Sequence, residues 1–159
     1  MLNFATKRPL QKERRDVNRL IEESLTESNI PENIKVETNF VQKAVISVDE
    51  KQLERIFLNL ITNAAQAMPD GGKLAVTTNQ TKDHIEIAFA DTGVGIPEEN
   101  MGKLFQPLFS TKAKGIGMGL AICKRIVEQH GGSIELKSKV GQGTTVTIKL
   151  PREEEANNK

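Results

Sequence analysis

Asn59, Asn63 and Gln66 fall at i, i+4 and i+7 of a strongly helical stretch, which sets three amides in one row beside an apolar stripe. Such a row is often only a solvated face. Here the rest of the exposed side carries charge (Glu54, Arg55), whereas this edge carries none. Amide oxygens are hard donors that suit a Mg2+ ion shared with phosphates and water. A second cluster, Asp91-Thr92-Gly93-Val94-Gly95-Ile96, ends a strand-like run. Asp91 has the parity of Ile85, Ile87 and Phe89, so its carboxylate points where the apolar side chains point. An inward carboxylate must be satisfied, either by another buried group or by a ligand donor such as an exocyclic amine. Gly93 and Gly95 remove Cβ atoms where a flat ligand could approach. The same residues also suit a plain strand-ending turn.

Two further clusters follow. Phe105-Gln106-Pro107-Leu108-Phe109 reads as a loop anchored by its aromatic rings, and Ser110, Thr111 and Lys112 then add hydroxyls and a point charge that could meet phosphate. Gly115-Ile116-Gly117-Met118-Gly119-Leu120 runs straight into a helix, where backbone N–H groups and the positive dipole end can face phosphate. No short strand leads into these glycines and their spacing is GxGxG, so the dinucleotide fingerprint fits poorly. The GxxxxGK[ST] phosphate loop is absent.

The elements that must position these groups are legible from periodicity. Residues 1–15 read as an extended lead-in, and Asp16 caps a helix carrying Val17, Leu20, Ile21 and Leu25. Asn29-Ile30-Pro31 ends it. Two alternating runs, 34–40 and 44–48, read as strands. Asp49 opens the strongest helix, with Leu53, Ile56, Phe57, Leu60, Ile61, Ala64 and Met68 in one stripe, and Pro69-Asp70-Gly71-Gly72 stops it. Two strands on either side of the polar segment 79–84 form a hairpin. Residues 92–118 are irregular, a length typical of a lid or binding loop. A helix over about 119–130 buries Leu120, Cys123, Ile126 and Val127 ahead of Gly131-Gly132, and a final hairpin precedes a frayed tail. All the strands alternate, which predicts an α/β two-layer sandwich: a mixed, mainly antiparallel sheet of about five strands or more, covered on one face by about three helices.

The 159 residues suit one domain, 37% hydrophobic and 27% charged. Twenty-two basic and twenty-one acidic residues leave a net charge of +1, without the basic excess of a nucleic-acid binder. The basic residues of the first fifteen read as a solvated linker. No run is long enough for a membrane helix, no secretory signal opens the chain, and the single cysteine gives no internal disulfide. These features predict a cytoplasmic domain.

In order, NLITNAAQAM, DTGVGI, LFQPLFSTK and GIGMGLAICKRIVEQHGG closely resemble the N, G1, F and G2 boxes of histidine kinases, within the gyrase, Hsp90, kinase and MutL ATPase superfamily. The resemblance spans roughly residues 16–151 and implies a Bergerat-type ATP-binding fold. FATKRP resembles the end of the helical hairpin that precedes such domains. The implied organisation is therefore 1–15 as lead-in from that hairpin, 16–152 as the ATP-binding catalytic domain, and 153–159 as a tail.

The resemblance implies ATP and Mg2+ as cofactors. Asn63 would ligate Mg2+ with Asn59 supporting the same site, both in catalytic roles. Asp91 would accept from the adenine amine, Gly93, Gly95 and Ile96 would line the base pocket, and Thr144 would reach the base through water. Thr111, Lys112, Gly115, Gly117, Gly119 and Leu120 would enclose the phosphates. Departures from the family pattern are mild: Leu108 for a common Phe, Ile116 for a common Thr, Met118 for a common Leu, and Gln66 for a frequent Lys or Arg. The implied reaction passes the γ-phosphoryl group of ATP to a histidine on a separate helical-hairpin domain of the same kinase. A response regulator is then an indirect partner, the fragment a monomer, and the full-length kinase either free or membrane-anchored. His84 and His130, the only histidines, read as structural. A hydrolytic ATPase of the same superfamily would hold a glutamate at Asn59, and an amide cannot take a proton from water. A nucleotide-binding interaction module without catalysis is the rival of a different class.

Overall fold

The computed structural model describes residues 9–106 and 116–152. Its elements are β1 (Glu13–Asp16), α1 (Val17–Glu27), β2 (Ile34–Asn39), β3 (Val45–Val48), α2 (Glu50–Gln66), β4 (Gly72–Gln80), β5 (His84–Asp91), α3 (Glu98–Met101), α4 (Ile116–Gln129), β6 (Ser133–Lys139) and β7 (Gly143–Pro151). Five strands form one sheet in the order β2-β4-β5-β7-β6, with β2 parallel to β4 and the other pairs antiparallel. The two alternating runs over 34–48 part company. The first joins this sheet, and β3 pairs instead with β1, so the last three residues of the extended lead-in form a strand with Asp16.

Both predicted caps form. Asp16 accepts from the Asn18 N–H at 3.0 Å and Asp49 from the Gln52 N–H at 3.3 Å, satisfying donors that the helix itself cannot. The predicted stripe of α2 is buried throughout, from Leu53 to Ala64, with Met68 beyond the helix end also buried. It packs between α1 and α4 and against β5. One sheet face, with Leu74, Val76, Ile85, Ile87, Phe89, Ile148 and Leu150, is closed by these helices, and Phe57 meets Phe89 with ring centroids 5.8 Å apart. This is the two-layer sandwich expected. Buried Thr78 ties α1 to β4: its hydroxyl donates to Asn18 Oδ1 at 2.9 Å and accepts from the Val41 N–H at 2.9 Å.

A polar clamp joins the two helices that carry the site residues. His130, only 4% exposed, accepts from the Asp49 N–H through Nε2 at 3.0 Å, and its Nδ1 lies 2.9 Å from the Ile126 carbonyl. Nε2 can accept only in the neutral ring, so Nδ1 carries the proton and donates. This bears out the structural reading of His130. Burial holds its pKa below the ordinary 6.5, helped by Lys12 and opposed by the Ile126 carbonyl and Asp49. With the folded value depressed, the unfolded chain takes up a proton first as pH falls. Stability from this group is complete above about pH 6.5 and declines below it, by at most about 1.4 kcal/mol per pH unit. Urea unfolding followed by circular dichroism should show that the gap between wild type and His130→Gln narrows from about pH 7.5 to 5.5. A gap independent of pH would contradict the clamp.

Candidate nucleotide site

Sheet register builds one end of the site. Val36, Leu74, Asp91, Thr144 and Ser138 are successive partners across β2, β4, β5, β7 and β6, so their side chains form one row on the helix-facing side. The row changes from apolar to polar at Asp91. Its carboxylate is half-buried, and Oδ1 accepts two backbone N–H groups, from Gly93 at 2.8 Å and Thr144 at 3.3 Å. Among the described residues no hydrogen bond ends on Oδ2. Burial raises the Asp91 pKa above the ordinary carboxylate value, with the Gly93 and Thr144 N–H groups pulling the other way. A partly desolvated oxygen without a donor fits a ligand that brings its own N–H.

The loop after Asp91 is held by backbone. Val94 N–H donates to the Ala67 carbonyl at the end of α2 at 3.0 Å, and Gly141 N–H to the Val94 carbonyl at 2.8 Å. A Cβ on Gly93 would sit 2.4 Å from the Ala67 oxygen, and one on Gly95, at φ +79°, would sit 2.2 Å from the Lys139 oxygen. The space that the sequence reading left for a flat ligand is thus taken on these sides by the protein's own backbone. Ile96 N–H donates to Ser138 Oγ at 2.8 Å, which fastens the loop to β6.

The amides lie on α2, which this loop meets at Ala67. Asn63 stands one turn before Ala67 on α2 and is half-buried; among the described residues no hydrogen bond engages its side chain. Asn59 donates a weak Nδ2–H bond to Cys123 Sγ of α4 at 3.8 Å. A Cβ on Gly119 would stand 3.6 Å from the Asn59 Cγ, an ordinary contact, so the start of α4 lies directly over Asn59. Burial pushes the Cys123 thiol up to about 11, so it stays neutral and serves as a packing group. Gln66, the last residue of α2, also lines a groove with Ile30, Leu58 and Thr62.

Gly117 and Gly119 lie within the first turns of α4, which begins at Ile116, three residues earlier than the periodicity indicates. Leu120 is buried in the core. Thr111, Lys112 and Gly115 lie outside the described residues. The structure therefore brings together Asp91, Gly93, Gly95, Ile96 and Thr144 at the sheet end, with Asn63 and Asn59 along the adjoining helix. It adds Ser138 and Gly143, which the sequence reading passed over. Their signal was present: Ser138 has the inward parity of Ile134 and Leu136, and Gly143 adjoins Thr144.

Residues 48–154 match the family described as histidine kinase-, DNA gyrase B- and HSP90-like ATPase. The chain belongs to this family. It is 40% identical over 121 residues to sporulation kinase C of Bacillus subtilis strain 168, across 75% of this chain and 28% of that protein. Sensor histidine kinase ZraS of Escherichia coli K12 is 42% identical over 106 residues, across 67% of this chain and 23% of its own. The solved structure of the mycobacterial sensor histidine kinase MprB aligns at a TM-score of 0.80 with 30% identity, covering 90% of this chain and 99% of that one. The histidine-kinase-type ATPase domain described here thus spans about a quarter of the length of the curated relatives it matches. It is similar to the catalytic part of sensor histidine kinases. Among the described residues no helix is long and apolar enough to cross a membrane.

Proposed function

We propose that this domain binds Mg-ATP between the Asp91 row and α2 and presents the γ-phosphoryl group to a histidine on a separate helical hairpin. The observation that carries the reading is the Asp91 carboxylate: half-buried, with Oδ1 held by two N–H groups and Oδ2 left to accept an amine donor. Thr144, its cross-strand partner, offers a second polar atom to the same base. Gly93 keeps the loop against the end of α2, and Gly95 and Ile96 hold it to β6, so the base meets fixed walls. Asn63 would hold the metal through its amide oxygen, with Asn59 supporting the same site from the preceding turn. Thr111, Lys112 and Gly115, with Gly117 and Gly119 at the start of α4, would enclose the phosphates, while Leu120 packs in the core behind them. Bound Mg2+ neutralises charge on the phosphates in a loose transition state, so the protein's share is positioning. An amide at Asn59 cannot act as a base toward water, which favours transfer over hydrolysis.

In this reading residues 16–152 form the catalytic domain, 1–15 lead in from the hairpin, and 153–159 are a tail. The domain acts as a cytoplasmic monomer, meeting a response regulator only through the phosphorylated hairpin. Calorimetric titration with a non-hydrolysable ATP analogue tests the metal assignment. Wild type should bind about tenfold or more tightly with Mg2+ than without it, and Asn63→Ala should lose that difference. An Asn63→Ala domain that keeps the full Mg2+ dependence would remove Asn63 from the site.

A further inference from the structure

The hydroxyl of Ser138 stands at a junction of three groups. It accepts the Ile96 N–H at 2.8 Å, donates to the Gly143 carbonyl at 3.0 Å, and lies 2.7 Å from Thr144 Oγ1. A serine hydroxyl has one hydrogen and two lone pairs. Either hydroxyl could donate across the 2.7 Å contact, but the Gly143 carbonyl can only accept, and with the Ser138 hydrogen on it Thr144 is the donor. The Thr144 proton is then committed to Ser138, and Thr144 offers only lone pairs to its surroundings. Its neighbour in the row, Asp91, is also an acceptor.

We infer that Ser138 is a positioning residue for base selection: it fixes the Thr144 hydroxyl as an acceptor, so that the site favours a base edge bearing an amino group over one bearing a carbonyl. This rests on the proposed placement of the base at Asp91. An amine has two hydrogens and suits two acceptors. A carbonyl at the same ring position meets lone pairs on both sides, and such mismatched buried polar groups discriminate strongly.

The test is calorimetry with non-hydrolysable analogues of ATP and ITP, which differ in having an amine or a carbonyl at that position. Ser138→Ala releases the Thr144 proton to turn toward the base. Its ratio of ATP to ITP affinity should fall about tenfold, chiefly through weaker ATP binding. Ser138→Thr keeps a hydroxyl and should retain the wild-type ratio. Thr144→Val removes the group that Ser138 controls, so adding Ser138→Ala to it should leave the ratio unchanged. Equal weakening of both analogues in Ser138→Ala would overturn the inference and reduce Ser138 to a loop anchor. Wild type binding neither analogue, or Asp91→Asn binding ATP as wild type does, would overturn the base placement and the inference with it.

Discussion

Asp91→Asn is expected to lower affinity for an ATP analogue about a hundredfold or more, with the fold retained. The amide has one acceptor oxygen where the carboxylate has two. If that oxygen keeps the Gly93 and Thr144 N–H groups, the NH2 faces the adenine amine, donor against donor. If the amide flips, the NH2 faces the two backbone donors and the loop is released. Either orientation loses a charge-assisted hydrogen bond and adds an unmet donor, effects that together reach about 3 kcal/mol. Stability should change little, because burial already raises the Asp91 pKa and so disfavours its charged form. The same shift gives a pH signature. Protonation of Asp91 stabilises the unliganded fold as pH falls through its raised value, whereas a bound amine favours the ionised form. ATP affinity should therefore weaken as pH falls through that value, and binding there should release a proton, readable from calorimetry in buffers of different ionisation enthalpy.

Gly143→Ala is expected to cost about 3 kcal/mol or more of stability. Gly143 opens β7 at φ +115°, and its missing Cβ would lie 2.0 Å from the Asp91 carbonyl oxygen and 3.0 Å from Thr92 Cα. Backbone strain at such an angle is worth about 1–3 kcal/mol, and the clash adds to it because rigid backbone stands on both sides. In a domain of this length each kcal/mol corresponds to about 2–4 °C in Tm, so a drop of at least about 6 °C is expected in thermal unfolding. Gly141→Ala is the control for the turn itself. It also has positive φ, but its Cβ would meet nothing within 4 Å, so its loss should be smaller. Equal losses at both positions would show that the approach to Asp91 is not what fixes Gly143.

Local signals were the ones that could be read ahead of the structure. The α2 stripe, the caps at Asp16 and Asp49 and the inward parity of Asp91 depend on neighbours within one or two turns, and each formed as the spacing indicated. Partners distant in sequence were not legible. Ile34–Asn39 and Val45–Val48 alternate alike, yet one pairs in parallel with β4 and the other with β1, a choice made by packing rather than by either run. Gly117 suggested a loop because glycine disfavours helix, but α4 starts at Ile116 and takes it in. Gly93 and Gly95 looked like space for a ligand or a turn, and Gly143 carried no reading at all. Their reason is close approach to Ala67, Lys139 and Asp91, which only the folded chain brings near. Ser138 sits at an apolar parity with a polar side chain, a pattern that points inward without naming its partners.

Phosphoryl transfer in trans tests the central claim most directly. The domain is mixed with γ-labelled ATP, Mg2+ and the proposed histidine-bearing hairpin, and acid-labile label on the hairpin is followed over time. Label that builds on the hairpin, is absent from the domain alone and is lost with Asn63→Ala or Asp91→Asn is the predicted result. Release of free phosphate at the same rate with or without the hairpin, and no label on the hairpin, would contradict it.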